Sequence, residues 1–429
     1  MTVVPARLAF GSRGVLVGWK SPLGAAWAQF SSPLALKPTD CRLLGSFGRS
    51  ARVAWWGDRP VALTRGEATP RALEVPEARI LEVAGGGDLW TAWVSDRVML
   101  RKGSEGAKAV APAGTLKALR VVPLSGGALV VGFGEGSLRV IRSGPTSVAY
   151  QHPIEAPIRA IDACRAGGRA VVAFEDQRGV HLAVLDAQGR MRERPYLLAD
   201  YARDPAVLWV ESTFALATRD DDGVSVRLGG DAPVLHWPSV SGPFALARWR
   251  QRIVLVQVAL DGDGARVRFR MAKPDGSERD EHEVDCAPQE AGLRRRQLAV
   301  RELLLALPTM LRTSGYRGAA LPNVGPSGCD AEYVDGGTTI HIRAHLSEKG
   351  PIRLALSLGA PPRPYEPSLW SRFRRPEVPP AIVEHLSEGE EVVRFEEEGG
   401  VWLDVKVAEL PAPARLAAWI RAIREFHER

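Results

Sequence analysis

The chain has 429 residues, of which 45% are hydrophobic and 25% are charged, with a net charge of +6 and a pI near 9.3. This composition is ordinary for a globular protein, and the length indicates two domains or one large repeat architecture. Basic residues are mixed with acidic ones along the chain, which argues against nucleic-acid binding. No apolar run approaches membrane-spanning length and no signal pattern opens the sequence, so we expect a cytoplasmic protein without a membrane partner.

One three-residue pattern recurs through the first two thirds of the chain. It usually consists of two small or β-branched residues and then an aromatic or apolar residue, followed by a turn rich in Asp, Gly or Glu. The seven copies are Val17-Gly18-Trp19, Val53-Ala54-Trp55, Thr91-Ala92-Trp93, Val131-Gly132-Phe133, Val172-Ala173-Phe174, Leu216-Ala217-Thr218 and Val258-Ala259-Leu260. Their third residues are 36, 38, 40, 41, 44 and 42 residues apart. Short Val- and Leu-rich runs around each copy indicate about four strands per repeat.

Four strands in a repeat of about 40 residues are typical of a β-propeller blade. The sequence therefore predicts a mainly β fold, with a seven-bladed β-propeller over residues 1–287. The aromatic members of the pattern are expected to fill the space between blades, whereas Trp56, which follows Trp55 in a strand, faces the other way. We also expect a terminal strand near Glu281–Asp285 to complete the first blade.

In general pattern, residues 1–287 resemble the WD-repeat-like and sialidase-like propellers. The Gly-His pair and Trp-Asp dipeptide of WD repeats do not occur, and neither does the Asp-box of sialidases. No functional residues of either family are carried over.

From Gln289 the hydrophobic spacing becomes helical. Leu293, Val300, Leu304 and Leu307 predict a helix that Pro308 ends, with a strand over residues 298–307 as the alternative. Further elements follow as strands over 331–334, 338–344 and 352–358, a short helix over 381–386, a hairpin of strands 391–395 and 401–407, and a last helix from Pro413 to Glu428. Residues 288–429 are thus predicted to form an α+β domain.

The element order over 289–429, α-β-β-β-α-β-β-α, resembles that of the type III secretion chaperones. That resemblance implies a homodimer that binds an extended peptide from a partner protein. Within this domain, a Pro-rich segment up to Pro380 combines aromatic and arginine side chains, the residue types enriched at interface hot spots. The partner-binding candidates are Tyr365, Trp370, Arg372, Phe373, Arg374 and Arg375. The alternative is a linker that packs on its own domain.

A second set of candidates consists of acidic turn residues that recur at one blade position. They are Asp58, Asp96, Asp176, Asp221, Asp261 and Asp263. Such a ring can face the mouth of the central channel. The alternative is that Asp occurs in these turns because its side chain accepts hydrogen bonds from nearby backbone N–H groups. The Asp261–Gly264 run resembles half a calcium loop but lacks its later Glu. His341 and His345 lie about 13 Å apart if they are on a strand, and the four cysteines form no cluster, so we expect no metal and no cofactor.

These features favour a non-enzymatic protein-interaction scaffold that binds another protein or a peptide, with possible dimerisation through the C-terminal domain. Two alternatives stay open: a propeller enzyme of the hydrolase or lyase type, and a small-ligand or sugar sensor that uses the channel. Residues 289–429 carry 19 basic and 19 acidic side chains, so the whole positive excess lies in the propeller. A weakly positive ring is compatible with an acidic partner, but this excess is too small to decide the kind of partner.

Overall fold

The computed structural model divides the chain into two compact units, Met1–Gln289 and Glu290–Arg429. Within residues 6–428, the structure leaves the following positions undescribed: 12, 45–50, 70–72, 74–77, 86–87, 135, 145–146, 230–232, 239–241, 262–263, 311–322, 326–327, 336–337, 347–350, 360–377, 385, 387–389 and 397–400. Among the described residues, none of the helices combines the length and apolar character needed to cross a membrane.

The first unit contains seven antiparallel sheets in its described residues, numbered here in chain order. Sheet 1 contains β1 (Arg7–Gly11), β2 (Gly14–Ser21), β3 (Gly24–Phe30) and β4 (Asp40–Leu43). Sheet 2 contains three described strands, β5 (Arg52–Trp56), β6 (Arg59–Thr64) and β7 (Glu67–Thr69). Sheet 3 contains β8 (Ile80–Ala84), β9 (Trp90–Val94), β10 (Arg97–Lys102) and β11 (Lys108–Pro112).

Sheets 4 to 7 repeat the four-stranded arrangement. Sheet 4 contains β12 (Ala118–Leu124), β13 (Gly127–Gly134), β14 (Ser137–Arg142) and β15 (Val148–Pro153). Sheet 5 contains β16 (Ala160–Ala166), β17 (Arg169–Glu175), β18 (Gly179–Leu185) and β19 (Tyr196–Asp200). Sheet 6 contains β20 (Arg203–Val210), β21 (Thr213–Arg219), β22 (Gly223–Leu228) and β23 (Pro233–Pro238). Sheet 7 contains β24 (Phe244–Trp249), β25 (Arg252–Asp261), β26 (Gly264–Ala272) and β27 (Asp280–Cys286).

The sheets form a ring through their first described strands. Successive members of the series β1, β5, β8, β12, β16, β20 and β24 contact each other, and β24 contacts β1. In the six four-stranded sheets the repeated pattern lies on the second strand, and in sheet 2 it lies on β5. The predicted fold class, a mainly β chain with a β-propeller followed by an α+β domain, is confirmed.

The pattern explains how neighbouring sheets pack. Its aromatic residues are buried, and small middle residues permit close approach, since a Cβ added to Gly18 would lie 2.6 Å from the Ala51 carbonyl oxygen. Trp56 is only half-buried and packs beside a different cluster from Trp55, as its opposite facing predicts. Leu260 is the exception, because it is 54% exposed at the end of β25.

The expectation that a terminal strand completes the first blade is wrong. Residues 281–285 belong to β27, which pairs with β26 inside sheet 7, and sheet 1 is built from four consecutive strands. The ring closes instead where β24 contacts β1, and further contacts join sheets 7 and 1. The Phe30 and Phe269 rings meet edge to face with centroids 5.2 Å apart, and His282 Nε2 lies 2.8 Å from the Ala35 carbonyl oxygen.

The second unit contains one six-stranded antiparallel sheet in its described residues. Its strands, in spatial order, are β28 (Asn323–Gly325), β29 (Gly328–Asp335), β30 (Thr338–His345), β31 (Ile352–Leu358), β33 (Trp402–Val407) and β32 (Glu391–Glu396). The helices are α1 (Ala291–Met310), α2 (Pro380–Val383) and α3 (Pro413–His427). Apolar residues of α1 and α3, including Leu304 and Trp419, are buried in one cluster with the sheet.

Two sequence predictions for this unit need correction. The alternative strand over 298–307 is wrong, because these residues are helical in α1. Pro308 does not end the helix, which continues to Met310. A proline in the last turn removes one backbone donor, and the Leu304 carbonyl that loses this donor accepts a hydrogen bond from the Tyr333 hydroxyl group instead. The short strand β28 adds one element to the predicted order.

Candidate functional site

The ring encloses a cavity of about 730 Å³. Most of its lining residues lie on the first described strand of each sheet, and others, such as Arg219 on β21 and Arg159 before β16, lie beside these strands. Eight charged side chains line it: Arg7, Arg52, Arg120, Arg159, Arg219, Glu82, Asp162 and Asp204. The lining therefore has five guanidinium groups and three carboxylates. The cavity carries a surplus of two positive charges.

Five of these side chains form one ionic cluster across sheets 1 to 5. Glu82 Oε2 lies 2.9 Å from Arg7 Nη2 and 3.1 Å from Arg120 Nη1. Its Oε1 lies 3.6 Å from Arg52 Nε. Arg120 Nε also donates to Asp162 Oδ1 over 2.8 Å.

The cluster is anchored to backbone groups as well. Asp162 Oδ2 accepts a 2.9 Å hydrogen bond from the Val207 N–H of sheet 6, and Arg52 Nε donates to the Leu81 carbonyl over 3.1 Å. The exposed fractions of the side chains are 6% for Glu82, 13% for Arg120 and 16% for Arg7. Such buried charges are tolerated only when paired, so the cluster links the inner strands of six sheets.

The repeat itself makes room for these side chains. Arg7 pairs with Gly18, Glu82 with Ala92 and Asp162 with Ala173, each time the middle residue of the repeated pattern. Directly opposed residues in an antiparallel pair have neighbouring Cβ positions, so a small residue there leaves space for a long charged one. The sequence signal is a charge within an apolar run that precedes the pattern, as in the ILEVA run of β8 and the AIDAC run of β16. Sequence reasoning had missed it.

The electrostatics of the cluster are unequal. The pKa of Arg7 is lowered to about 9, first by burial and then by repulsion from Arg120 and Arg52, while the carboxylates of Glu82 and Asp162 act in the opposite direction. Burial acts to raise the pKa of Glu82, but Arg7, Arg52 and Arg120 outweigh it and hold that pKa below its usual value. The pKa of Arg120 is raised, because Glu82 and Asp162 outweigh its burial. The buried Nε of Arg7 has no hydrogen-bond partner among the described residues.

A second group of polar side chains lines the cavity at sheets 5 and 6. Arg219 Nε donates to Asp204 Oδ2 over 2.9 Å, and its guanidinium lies 5.0 Å from the centre of the Phe244 ring. The Asp204 N–H donates to Glu175 Oε2 over 2.9 Å, and burial raises the pKa of Glu175. Arg159 also lines the cavity and is exposed, and it has no ion pair with any residue in the described part of the chain. A dissolved ligand therefore has access to at least one arginine of the cavity.

Of the predicted acidic turn residues, four lie between the pattern-bearing strand and the next strand of their sheet, namely Asp58, Asp96, Asp176 and Asp221, and Asp261 is the last residue of β25. Asp58 is 3.5 Å from Arg13, Asp221 is 2.8 Å from Arg203, and Asp261 is 3.1 Å from Arg266. Asp96 accepts a 2.9 Å hydrogen bond from Ser95 Oγ. None of these residues belongs to the lining of the described cavity. Asp263 lies outside the described residues.

Asp176 differs from the other turn residues because it is buried. Its Oδ1 accepts the Arg178 N–H over 2.7 Å, and its Oδ2 lies 3.0 Å from His181 Nε2. Burial acts to raise the pKa of Asp176, but these donors outweigh it and hold the pKa below its usual value. The geometry is that of a turn that satisfies its own backbone donors.

The remaining candidates fall into two groups. Tyr365, Trp370, Arg372, Phe373, Arg374 and Arg375 lie outside the described residues. His341 and His345 lie on β30, where His341 Nδ1 is 3.6 Å from Glu332 Oε2. No group of three or more metal-ligating side chains occurs within the described residues.

No protein-family model matches the sequence, and no curated protein matches it. Solved structures of low similarity include TolB from Acinetobacter baumannii, at 10% identity and a TM-score of 0.37, covering 63% of this chain and 66% of that one. BamB from Moraxella catarrhalis has 10% identity and a TM-score of 0.32, covering 62% and 96%. The Bacteroides ovatus xyloglucan PUL GH43B structure has 10% identity and a TM-score of 0.32, covering 57% of this chain and 52% of that one. This chain thus spans about half the length of the GH43B chain. At these levels the similarities assign neither a family nor a function.

Proposed function

We propose that the chain is a non-catalytic binding module in which a seven-bladed propeller, with the seven described sheets as its blades, receives part of another protein in its channel. The observation that carries this proposal is the cavity of about 730 Å³, lined by the inner strands and by eight charged side chains. Cavities of 300–1,000 Å³ with a few convergent polar groups are the usual form of ligand sites. The cavity holds a segment of chain and excludes a folded domain.

A side chain that fills the cavity tests this function. Ala160 lies on β16 and lines the cavity, so Ala160→Trp places an indole ring in the space. The matched control is Ala149→Trp, because Ala149 is exposed on β15 and does not line the cavity. A partner that co-purifies with the full chain is identified, purified and titrated against the three proteins. Loss of affinity in Ala160→Trp alone supports the channel as the binding site, provided circular dichroism and Tm match. Equal affinity in all three contradicts it.

We also propose that residues 288–429 act as the second part of the scaffold, binding a partner peptide or a second copy. The support is the resemblance between the element order predicted from the sequence and that of type III secretion chaperones, together with the aromatic and arginine side chains of the 365–375 segment. The test is the double variant Trp370→Ala and Arg374→Ala, compared with the wild type by mass in solution and by co-purified partners. An identical mass and partner set in a folded double variant favours a linker that packs on its own domain. We propose the cytoplasm as the compartment, on the sequence grounds given above.

A small-ligand sensor is the second candidate function. It is favoured by the same cavity volume, which is also that of small-molecule sites. The two functions predict different ligands for the channel: a segment of another protein for the binding module, and a small molecule for the sensor.

A further inference from the structure

The charges around the channel do not balance. In the ionic cluster, Arg7, Arg52 and Arg120 surround the carboxylates of Glu82 and Asp162, and five arginines against three carboxylates line the cavity as a whole. Arg219 is paired with Asp204, and Arg159, which is exposed, is attracted by the nearby Glu175 but makes no ion pair within 4 Å in the described part of the chain. The cavity lining as a whole therefore carries a net positive charge, and the cavity beside it has a volume of about 730 Å³.

Burial and mutual repulsion make the positive charge of these arginines energetically unfavourable. The pKa of Arg7 falls to about 9, first because of burial and then because Arg120 and Arg52 repel it. An anion beside the cluster counteracts this effect, because it adds attraction to the charged form of Arg7.

The donors that face the cavity suit carboxylates. A guanidinium group presents a planar fork of N–H donors that matches a carboxylate, and such charge-assisted bonds are about twice as strong as neutral ones. Arg159 is exposed and lines the cavity, so it is positioned to meet a ligand before the buried cluster does. Low-dielectric walls concentrate the field of these charges in the channel and raise the local concentration of anions.

We propose that the channel is an anion site that binds the carboxylates of an acidic peptide segment, with Arg159 as the accessible contact and the Arg7, Arg52 and Arg120 cluster as the source of positive charge behind it. This inference rests on the proposed function, in which the channel receives part of a partner protein. It adds the chemistry of that part. Phosphate and small polycarboxylates share the recognition chemistry, and the experiment separates them from the peptide.

The experiment titrates the full chain with hexaglutamate, hexaglutamine, inorganic phosphate and citrate, using isothermal calorimetry. The variant is Arg159→Glu, and the matched control is Arg169→Glu, an equal charge change at an exposed position of the same sheet outside the cavity lining. We expect hexaglutamate to bind the wild type and the control alike, and to bind Arg159→Glu at least about tenfold more weakly. The affinity should fall as sodium chloride rises from about 50 to about 200 mM, because screening weakens the interaction.

The other outcomes are equally decisive. If hexaglutamine binds as well as hexaglutamate, the anion inference fails while the channel remains a peptide site. If phosphate or citrate binds in an Arg159-dependent way and hexaglutamate does not, the peptide assignment is overturned in favour of the small-ligand sensor. Equal weakening in Arg159→Glu and Arg169→Glu shows a general charge effect and overturns the site. A partner that still binds through the channel after Arg159→Glu overturns the inference and leaves the proposed function intact.

Discussion

The hydroxyl group of Tyr333 donates a 2.6 Å hydrogen bond to the carbonyl oxygen of Leu304. Leu304 lies four residues before Pro308, which has no backbone N–H to donate to that carbonyl. Tyr333 on β29 thus supplies the donor that the helix lacks, and both residues are buried. This relationship explains how α1 continues past Pro308 to Met310.

Removing that hydroxyl group tests the explanation. We expect Tyr333→Phe to lower the free energy of unfolding by about 1–3 kcal/mol, because it leaves a buried carbonyl without a partner. Urea unfolding monitored by circular dichroism measures the loss. Tyr201→Phe is the matched control, since Tyr201 is 86% exposed and should change stability by less than about 0.5 kcal/mol. Equal effects in the two variants would exclude the special role of Tyr333.

Two adjacent tryptophans give a second prediction, on the packing between sheets. Trp55 is 3% exposed, its Nε1 donates to the Ala9 carbonyl over 3.1 Å, and a Cβ on Gly11 would lie 2.7 Å from its ring. Trp56 faces the other side and is half-buried. We expect Trp55→Ala to cost about 3–5 kcal/mol, as large-to-small core changes do. Trp56→Ala should cost clearly less, and chemical denaturation of both variants measures the difference. The inter-sheet assignment fails if the order is reversed.

Much of the fold follows from the sequence because its signals are local and repeated. The pattern around Trp19, Trp93 and Phe174 predicts a strand, the side of the sheet on which the aromatic residue lies, and the spacing between sheets. These three features are sufficient to predict that the aromatic residues are buried. The second unit was predictable for the same reason, since its strands and last helix each carry their own periodicity. Pro308 shows the limit of local signals, because its tolerance depends on Tyr333, which is distant in sequence.

The channel cluster could be predicted only in part. A lone charge such as Glu82 in an apolar strand is visible in the sequence, but its partners Arg7 and Arg120 lie 75 and 38 residues away. Whether such charges pair depends on which strands face the centre of the ring. Ring closure was mispredicted because a terminal strand has a similar sequence whether it pairs into the first sheet or only contacts it through side chains. The contact between Phe30 and Phe269 is of the second kind, and it joins the two ends of the propeller unit.

Glu82 carries the third prediction. Glu82→Gln keeps the size of the side chain and removes the charge that separates Arg7, Arg52 and Arg120. We expect a loss of about 3–5 kcal/mol in the free energy of unfolding, because breaking a buried ionic group leaves uncompensated charge. The control is Glu211→Gln, whose exposed carboxylate lies 3.4 Å from the Arg248 guanidinium and should matter by less than about 1 kcal/mol. Urea unfolding in low and high salt measures both losses. A Glu82→Gln variant as stable as the control would show that the cluster is not cooperative.

The fourth prediction concerns pH and the thiol of Cys164 on β16. Burial raises the pKa of this thiol from 9.0 to about 12, with Asp162 adding to the effect. The folded state therefore binds the proton more tightly than the unfolded state. This contribution to stability is fully present below pH 9 and is lost as the pH rises toward 12. The opposite shift of Arg7 acts in the same pH range, so the wild type alone does not isolate the thiol.

The comparison of Cys164→Ala with the wild type does isolate it. The variant lacks the titrating group, so its stability relative to the wild type should rise between pH 8 and about 10.5. One pKa unit corresponds to about 1.4 kcal/mol, so the relative gain should approach about 2 kcal/mol at the upper pH. Urea midpoints measured at matched ionic strength give the difference directly. A pH-independent difference between the two proteins would mean that the Cys164 thiol titrates alike in the folded and unfolded chains. That result would contradict a thiol pKa raised by burial.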